Sequence, residues 1–94
     1  MINIIEIITQ ASKIYLLVAD GQEAIRIDEQ EVASFKGQAE FFVRKKYGHF
    51  LDIQNVSIDF QGETQGAAWV EIYPKSDGIL ESIAEEYGIN IEEH

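Results

Sequence analysis

Any acid–base or metal chemistry in this 94-residue chain would have to come chiefly from His49, His94 and seventeen Asp and Glu, because the chain holds no cysteine. A histidine close to a carboxylate can serve as a general base or a pH-sensitive contact, and His49 lies shortly before Asp52. Its place directly after Gly48, past the end of a helical stretch, favours an ordinary loop histidine instead. Asp59 and Glu71 fall on the two strands of one predicted hairpin and would be diagonal neighbours. Such a pair catalyses proton transfer only where burial drives the two pKa values apart, and an open sheet face leaves both ionised. His49 and His94 sit far apart in the chain and form no metal motif without cysteines. A G-x-S-x-G elbow, a G-x-x-x-x-G-K phosphate loop and a G-x-G-x-x-G fingerprint are all missing from the sequence. Gly62 and Gly66 of QGETQG belong to a hairpin tip, with no helix start behind them to hold a phosphate. The expectation is a protein that is not an enzyme, with no catalytic residue, metal or cofactor.

The run FFVRKKYGHF, residues 41 to 50, sets Arg44, Lys45 and Lys46 among aromatics and raises the question of nucleic-acid binding. Successive helical residues are rotated by about 100°, so three adjacent cations fan around the axis and cannot line one face. Lys46 returns to the core side and must stretch past the helix end to reach water. All three cations complement the negative end of the helix dipole, and Glu40 is placed one turn before Arg44 for a helical ion pair. Phe41 points outward beside Arg44 and Lys45. The run therefore marks a helix terminus.

Seven Lys and Arg against seventeen Asp and Glu give a formal net charge of -10, which opposes approach to a nucleic-acid backbone or an anionic membrane and attracts a basic protein. With 46% hydrophobic residues the chain can build a core without disulfides or metal, as one domain over residues 1–94. No segment approaches the roughly 18 apolar residues of a membrane span. MINIIEIITQ lacks the basic region of a signal peptide, so a cytoplasmic location is expected.

The elements that must position these residues follow from periodicity. Ile4, Ile5, Ile8 and Ala11 recur at helical spacing, and Asn3 with Glu6 has the form of a capping box, which predicts a short N-terminal helix. KIYLLVA and EAIRI flank Asp20 and Gly21, a dipeptide suited to a tight hairpin, with Ile14, Leu16, Val18, Ile25 and Ile27 facing the core and Tyr15, Leu17, Ala24 and Arg26 facing away. Phe35, Ala39, Phe42, Val43 and Tyr47 form the stripe of a second helix, with Ser34 as N-cap, Gly48 as stop and Gly37 weakening its first turns. VSIDFQ and AAWVEIY pair around Thr64, putting Val56, Ile58, Phe60, Ala68, Val70 and Ile72 inside and Ser57, Asp59, Trp69, Glu71 and Tyr73 outside. Pro74 closes that strand, and a last helix runs from Asp77 to Tyr87 before Gly88. The tail INIEEH is either frayed or a short added strand. The predicted class is α+β: an antiparallel sheet of about four strands built from two hairpins, with two or three helices packed on one face.

Two surfaces could bind a partner. One is acidic: Asp77, Glu81, Glu85, Glu86, Glu92 and Glu93 crowd the last 18 residues, and Glu81 and Glu85 repel each other one turn apart on the last helix. Their spacing is close to that of successive phosphates, so such a row can occupy a basic groove meant for nucleic acid. The other is the outer hairpin face, where Trp69 and Tyr73 stand beside Asp59 and Glu71, aromatic anchors among acids. By size and charge the chain is similar to acidic inhibitor classes: immunity proteins of nuclease toxins, phage inhibitors of nucleases or CRISPR complexes, and secretion chaperones. The expected function is a protein-protein interaction domain for a basic partner, in its sharpest form an inhibitor that mimics nucleic acid. The alternative is a homodimer or larger homo-oligomer, structural or regulatory, using the Trp69/Tyr73 face.

Overall fold

A computed structural model describes residues 2–20, 25–26, 32–60 and 65–94, with the side chains of all but 25, 26, 59, 60, 65 and 66. The elements are β1 (Ile2–Gln10), β2 (Lys13–Asp20), β3 (Ile25–Arg26), α1 (Val32–Tyr47), β4 (Leu51–Phe60), β5 (Gln65–Pro74), α2 (Ile79–Tyr87) and β6 (Ile91–Glu93). The strands form a mixed sheet in the order β4-β5-β2-β1-β6, and β3 pairs with the end of β5. Every described pairing is antiparallel except that of β1 with β6. Both helices cover one face, α1 against β4 and β5 and α2 against β1.

The α+β class therefore holds, whereas the two-hairpin sheet of four antiparallel strands does not. The N-terminal segment is strand β1 and no helix. A bulge between Ile4 and Glu6 inserts Ile5 as an extra residue, so Ile4 and Ile7 both face the core, 1% and 0% exposed. Three-residue spacing on one face is thus produced by an irregular strand, and it imitates helical periodicity. β-branched isoleucines favour that outcome over a helix. The first hairpin is made by β1 and β2 around Ala11 and Ser12, whose φ values of 46° and 61° match the left-handed backbone of a tight turn. Among the described residues β2 does not pair with the segment that follows it. β2 has β1 on one edge and β5 on the other, and β3 runs on in the same direction along β5, with Ile25 opposite Gly66. The expected turn and the side-chain placement of Ala24, Ile25 and Ile27 lie outside the described residues and side chains.

The core stripe of α1 is as expected: Phe35, Ala39, Val43 and Tyr47 are buried and Phe42 packs against them. The helix starts at Val32, ahead of Ser34, and runs through Gly37 without a break. Ser34 consequently acts inside the helix, accepting from the Gln38 amide nitrogen at 3.2 Å. Gly48 does end it, donating to the Arg44 carbonyl oxygen at 2.9 Å. A Cβ on Gly48 would lie 2.3 Å from that oxygen, so only glycine fits.

The β4–β5 hairpin forms with its register moved by two residues: Val56 faces Val70 and Ile58 faces Ala68, where a turn centred on Thr64 pairs Val56 with Ile72. An even slip keeps each side chain on its face, which is why Val56, Ile58, Ala68, Val70 and Ile72 stay inside, the side chains of Asp59 and Phe60 lying outside those described. α2 begins at Ile79, after a left-handed Gly78 with φ 81°, and not at Asp77. It ends on Gly88 with φ 65°, whose N–H donates to Glu85 O at 3.3 Å while Ile89 N donates to Ala84 O at 3.0 Å. The tail adds the short strand β6 beside β1. No described helix is long and apolar enough to cross a membrane.

Candidate functional site

Alternation along four strands builds the face of the sheet opposite α1 and α2. One row runs Ile8, Tyr15, Glu71, Asn55 across β1, β2, β5 and β4, and the next runs Glu6, Leu17, Trp69, Ser57. Tyr73 is opposite Asp52 at the end where β5 leaves the sheet, and is 63% exposed. Leu17, Ala19 and Ala67 are buried here and form a second apolar cluster with Ile5 and Trp69. The rings of Tyr15 and Trp69 meet edge to face, 6.2 Å apart at 81°, a favourable arrangement for aromatic quadrupoles. A cavity of about 230 Å³ opens beside them, lined by Ile8, Gln10, Tyr15, Ser57 and Trp69.

Of the sequence-derived candidates, Trp69, Glu71 and Tyr73 share this face. Asp59 joins it by register opposite Ala67, its side chain lying outside those described. The two-residue slip separates Asp59 from Glu71 by the whole Trp69–Ser57 row, roughly 13 Å along β5 at about 3.3 Å per residue. They are not the diagonal carboxylate pair that the Thr64-centred register implies. Tyr15 and Ser57 carried the signal of alternation, since both are on the outer side of their strands in the sequence pattern. Ile8 and Gln10 carried none, because their contribution depends on β1 being a strand at the far side of β2.

The acids of α2 lie on the other side of the molecule, in the helix layer. Glu81 and Glu85 are exposed there. Glu86 is engaged within the chain: its Oε1 accepts from the Tyr47 hydroxyl at 2.6 Å and its Oε2 from Lys46 Nζ. Lys46 Nζ also donates to the Tyr87 hydroxyl at 2.8 Å and stands 4.8 Å from the centre of that ring. These contacts tie the C-terminal end of α1 to that of α2. The Lys46 ammonium and then the Tyr47 hydroxyl hold the Glu86 carboxyl below its usual value, and the Glu86 contact raises Lys46. Burial and then the carboxylate acceptor push the Tyr47 phenol well above its ordinary range. Each shift favours the state in which the clasp is formed.

The basic run behaves as helix geometry dictates. Arg44 pairs with Glu40 at 2.9 Å, Lys45 stands over the Phe41 ring at 5.8 Å, and Lys46 turns inward to the clasp. His49 is exposed, and Asp52 has Lys75 as its ion partner at 3.5 Å. Among the described residues no three His, Asp or Glu converge as a metal site. Comparison with protein families, with curated proteins and with solved structures finds no match to this chain.

Proposed function

We propose that the chain is a non-catalytic interaction domain that docks a basic protein on the open sheet face, around Trp69, Tyr73, Tyr15 and Glu71. The observation that carries this is the one-sided arrangement of the helices: the opposite sheet face keeps a clustered pair of aromatics, a cavity and an exposed Tyr73. Large rigid aromatics at the centre of a surface are the usual anchors of binding energy, and a net charge of -10 selects a partner of opposite sign. Glu81 and Glu85 lie across the sheet from this face, so one compact partner engages either surface and not both. With Glu86 held in the clasp, the acidic row of α2 is reduced to two carboxylates, which weakens the nucleic-acid-mimic version. The open face is the stronger choice.

The test is capture from native lysate by the immobilised wild type, by Trp69→Ala with Tyr73→Ala, and by Glu81→Lys with Glu85→Lys, eluted stepwise with salt. Expected is a basic protein released as salt shortens the screening length from about 10 Å toward about 3 Å, absent from the aromatic double variant and retained by the lysine variant. Retention by the aromatic variant and loss from the lysine variant would move the site to α2. A stable homodimer in light scattering that dissociates on Trp69→Ala would favour self-association, the alternative that uses the same face.

A further inference from the structure

We infer that the outer edge of β4 takes up an extended, lysine- or arginine-bearing strand of a partner protein, an assignment that does not depend on docking at the Trp69 face. Among the described residues β4 pairs with β5 alone, and the sheet's other edge, β6, is only three residues long. Every second residue of an edge strand turns both its N–H and its C=O away from the sheet, where another chain can pair with them. Exposure marks this edge as uncovered. On the helix side Val56 and Ile58 are half-buried, although Val70 and Ala68 opposite them on β5 are buried, and on the other side Asn55 and Ser57 are exposed. The helix layer therefore stops short of β4 and leaves apolar surface that one further strand would bury.

Edge strands are commonly guarded by Lys, by Pro or by a bulge. β4 contains no Lys, Arg or Pro, and its described irregularity, between Ile53 and Asn55, lies ahead of the run Asn55–Phe60 that pairs regularly with β5. At about 3.3 Å per residue this run offers an edge of roughly 20 Å, enough for an extended hexapeptide. Charge selects the occupant. β4 carries Asp52 and Asp59 and no cation, and Asn55 lies opposite Glu71 of β5. A second copy would bring another net charge of -10 to the same edge, whereas a cationic strand is attracted to it. Alternation sets the pattern of that strand: cations on the side of Asn55 and Ser57, β-branched residues on the side of Val56 and Ile58.

The probe is an acetylated, amidated heptapeptide of alternating lysine and valine, end-labelled for anisotropy and titrated into the full chain at low salt. Its fully N-methylated form, which has no N–H to donate, and a glutamate–valine form are the controls. Expected is saturable binding at least about fivefold tighter than that of either control, with amide exchange slowed at alternate residues of Asn55–Phe60. Asn55→Lys with Ser57→Lys should weaken the lysine peptide at least about fivefold and favour the glutamate peptide instead, a reversal that misfolding does not produce. The Trp69→Ala, Tyr73→Ala variant should bind as the wild type does. Absence of binding, equal binding of the N-methylated peptide, or unchanged exchange in Asn55–Phe60 overturns the edge site. If peptide binding without that protection is lost in the aromatic double variant, the sheet face still stands as the docking surface. A dimer in light scattering whose Asn55–Phe60 amides are protected without peptide overturns the cationic partner in favour of a second copy.

Discussion

Replacing Glu86 by alanine removes the acceptor that joins the ends of the two helices, and the size of the loss can be worked from its contacts. The Tyr47 residue is only 6% exposed, so its hydroxyl loses a charged acceptor in a place with limited access to water. A hydrogen bond to a charged group is worth about 1.5 to 3 kcal/mol. The Lys46–Glu86 ion pair adds little, because its side chains are 38% and 44% exposed and such pairs contribute at most about 1 kcal/mol. The expected cost of Glu86→Ala is about 2 kcal/mol, a fall in Tm of roughly 10 °C for a domain of this size. Glu86→Gln keeps an oxygen for Tyr47 but no charge, and should cost about 1 kcal/mol. Because the folded Glu86 carboxyl titrates below its unfolded value of 4.5, its contribution is present above pH 4.5 and is lost as pH falls through the lower folded pKa. Urea unfolding of wild type and both variants at pH 7 and at pH 3 measures this. The gap between wild type and Glu86→Gln should close in acid. A Glu86→Ala protein within about 0.5 kcal/mol of wild type at pH 7, or a gap constant with pH, would refute a stabilising clasp.

Further predictions follow from the same contacts. In an alkaline absorbance titration Tyr47 should keep its proton above pH 10 until the chain unfolds, and Tyr47→Phe should remove that late phase; a phenol titrating at its usual value would contradict the buried hydrogen bond. Gly48→Ala should destabilise by about 1 to 3 kcal/mol through the contact with Arg44 O, whereas Gly37→Ala, with nothing within 4 Å, should stabilise by about 1 kcal/mol. Equal urea midpoints for the two variants would deny the steric account. Ala11→Asn with Ser12→Gly should raise stability by about 1 to 2 kcal/mol, since Ala11 and Ser12 hold left-handed backbone at a cost that asparagine and glycine largely avoid. An unchanged midpoint would mean the turn is not strained.

The parts of this fold legible in the sequence are those where periodicity and stop signals agree. The α1 stripe from Phe35 to Tyr47, its end at Gly48, the inner and outer sets of β4 and β5, and the end of α2 at Gly88 are all of this kind. Outer placement of Trp69, Glu71 and Tyr73 followed from alternation alone, and it survived a register error because the error was even. The N-terminal strand was not legible, since the bulge at Ile5 replaced a period of two with a spacing of three. The hairpin at Ala11-Ser12 carried neither glycine nor asparagine, while the Asp20-Gly21 signal suggested a pairing of β2 with EAIRI that the described Ile25–Arg26, on β5, do not make. Both edges of β2 are satisfied by β1 and β5, which leaves no edge for EAIRI.

By itself the sequence determined the α+β composition, the strong negative charge and the residues able to occupy each side of each element, because these depend on side-chain type and short-range spacing. It could not determine which faces meet. The edges of β2 were assigned by pairing with β1 and with β5 some fifty residues away in the chain, and that choice alone brought Ile8 and Gln10 to the Tyr15–Trp69 pocket. The placement of both helices on one side left Trp69 on the opposite face and separated it from Glu81 and Glu85. Glu86 was drawn from an apparent surface row into contact with Lys46 and Tyr47. Such outcomes rest on long-range burial and hydrogen-bond satisfaction, which no local pattern encodes.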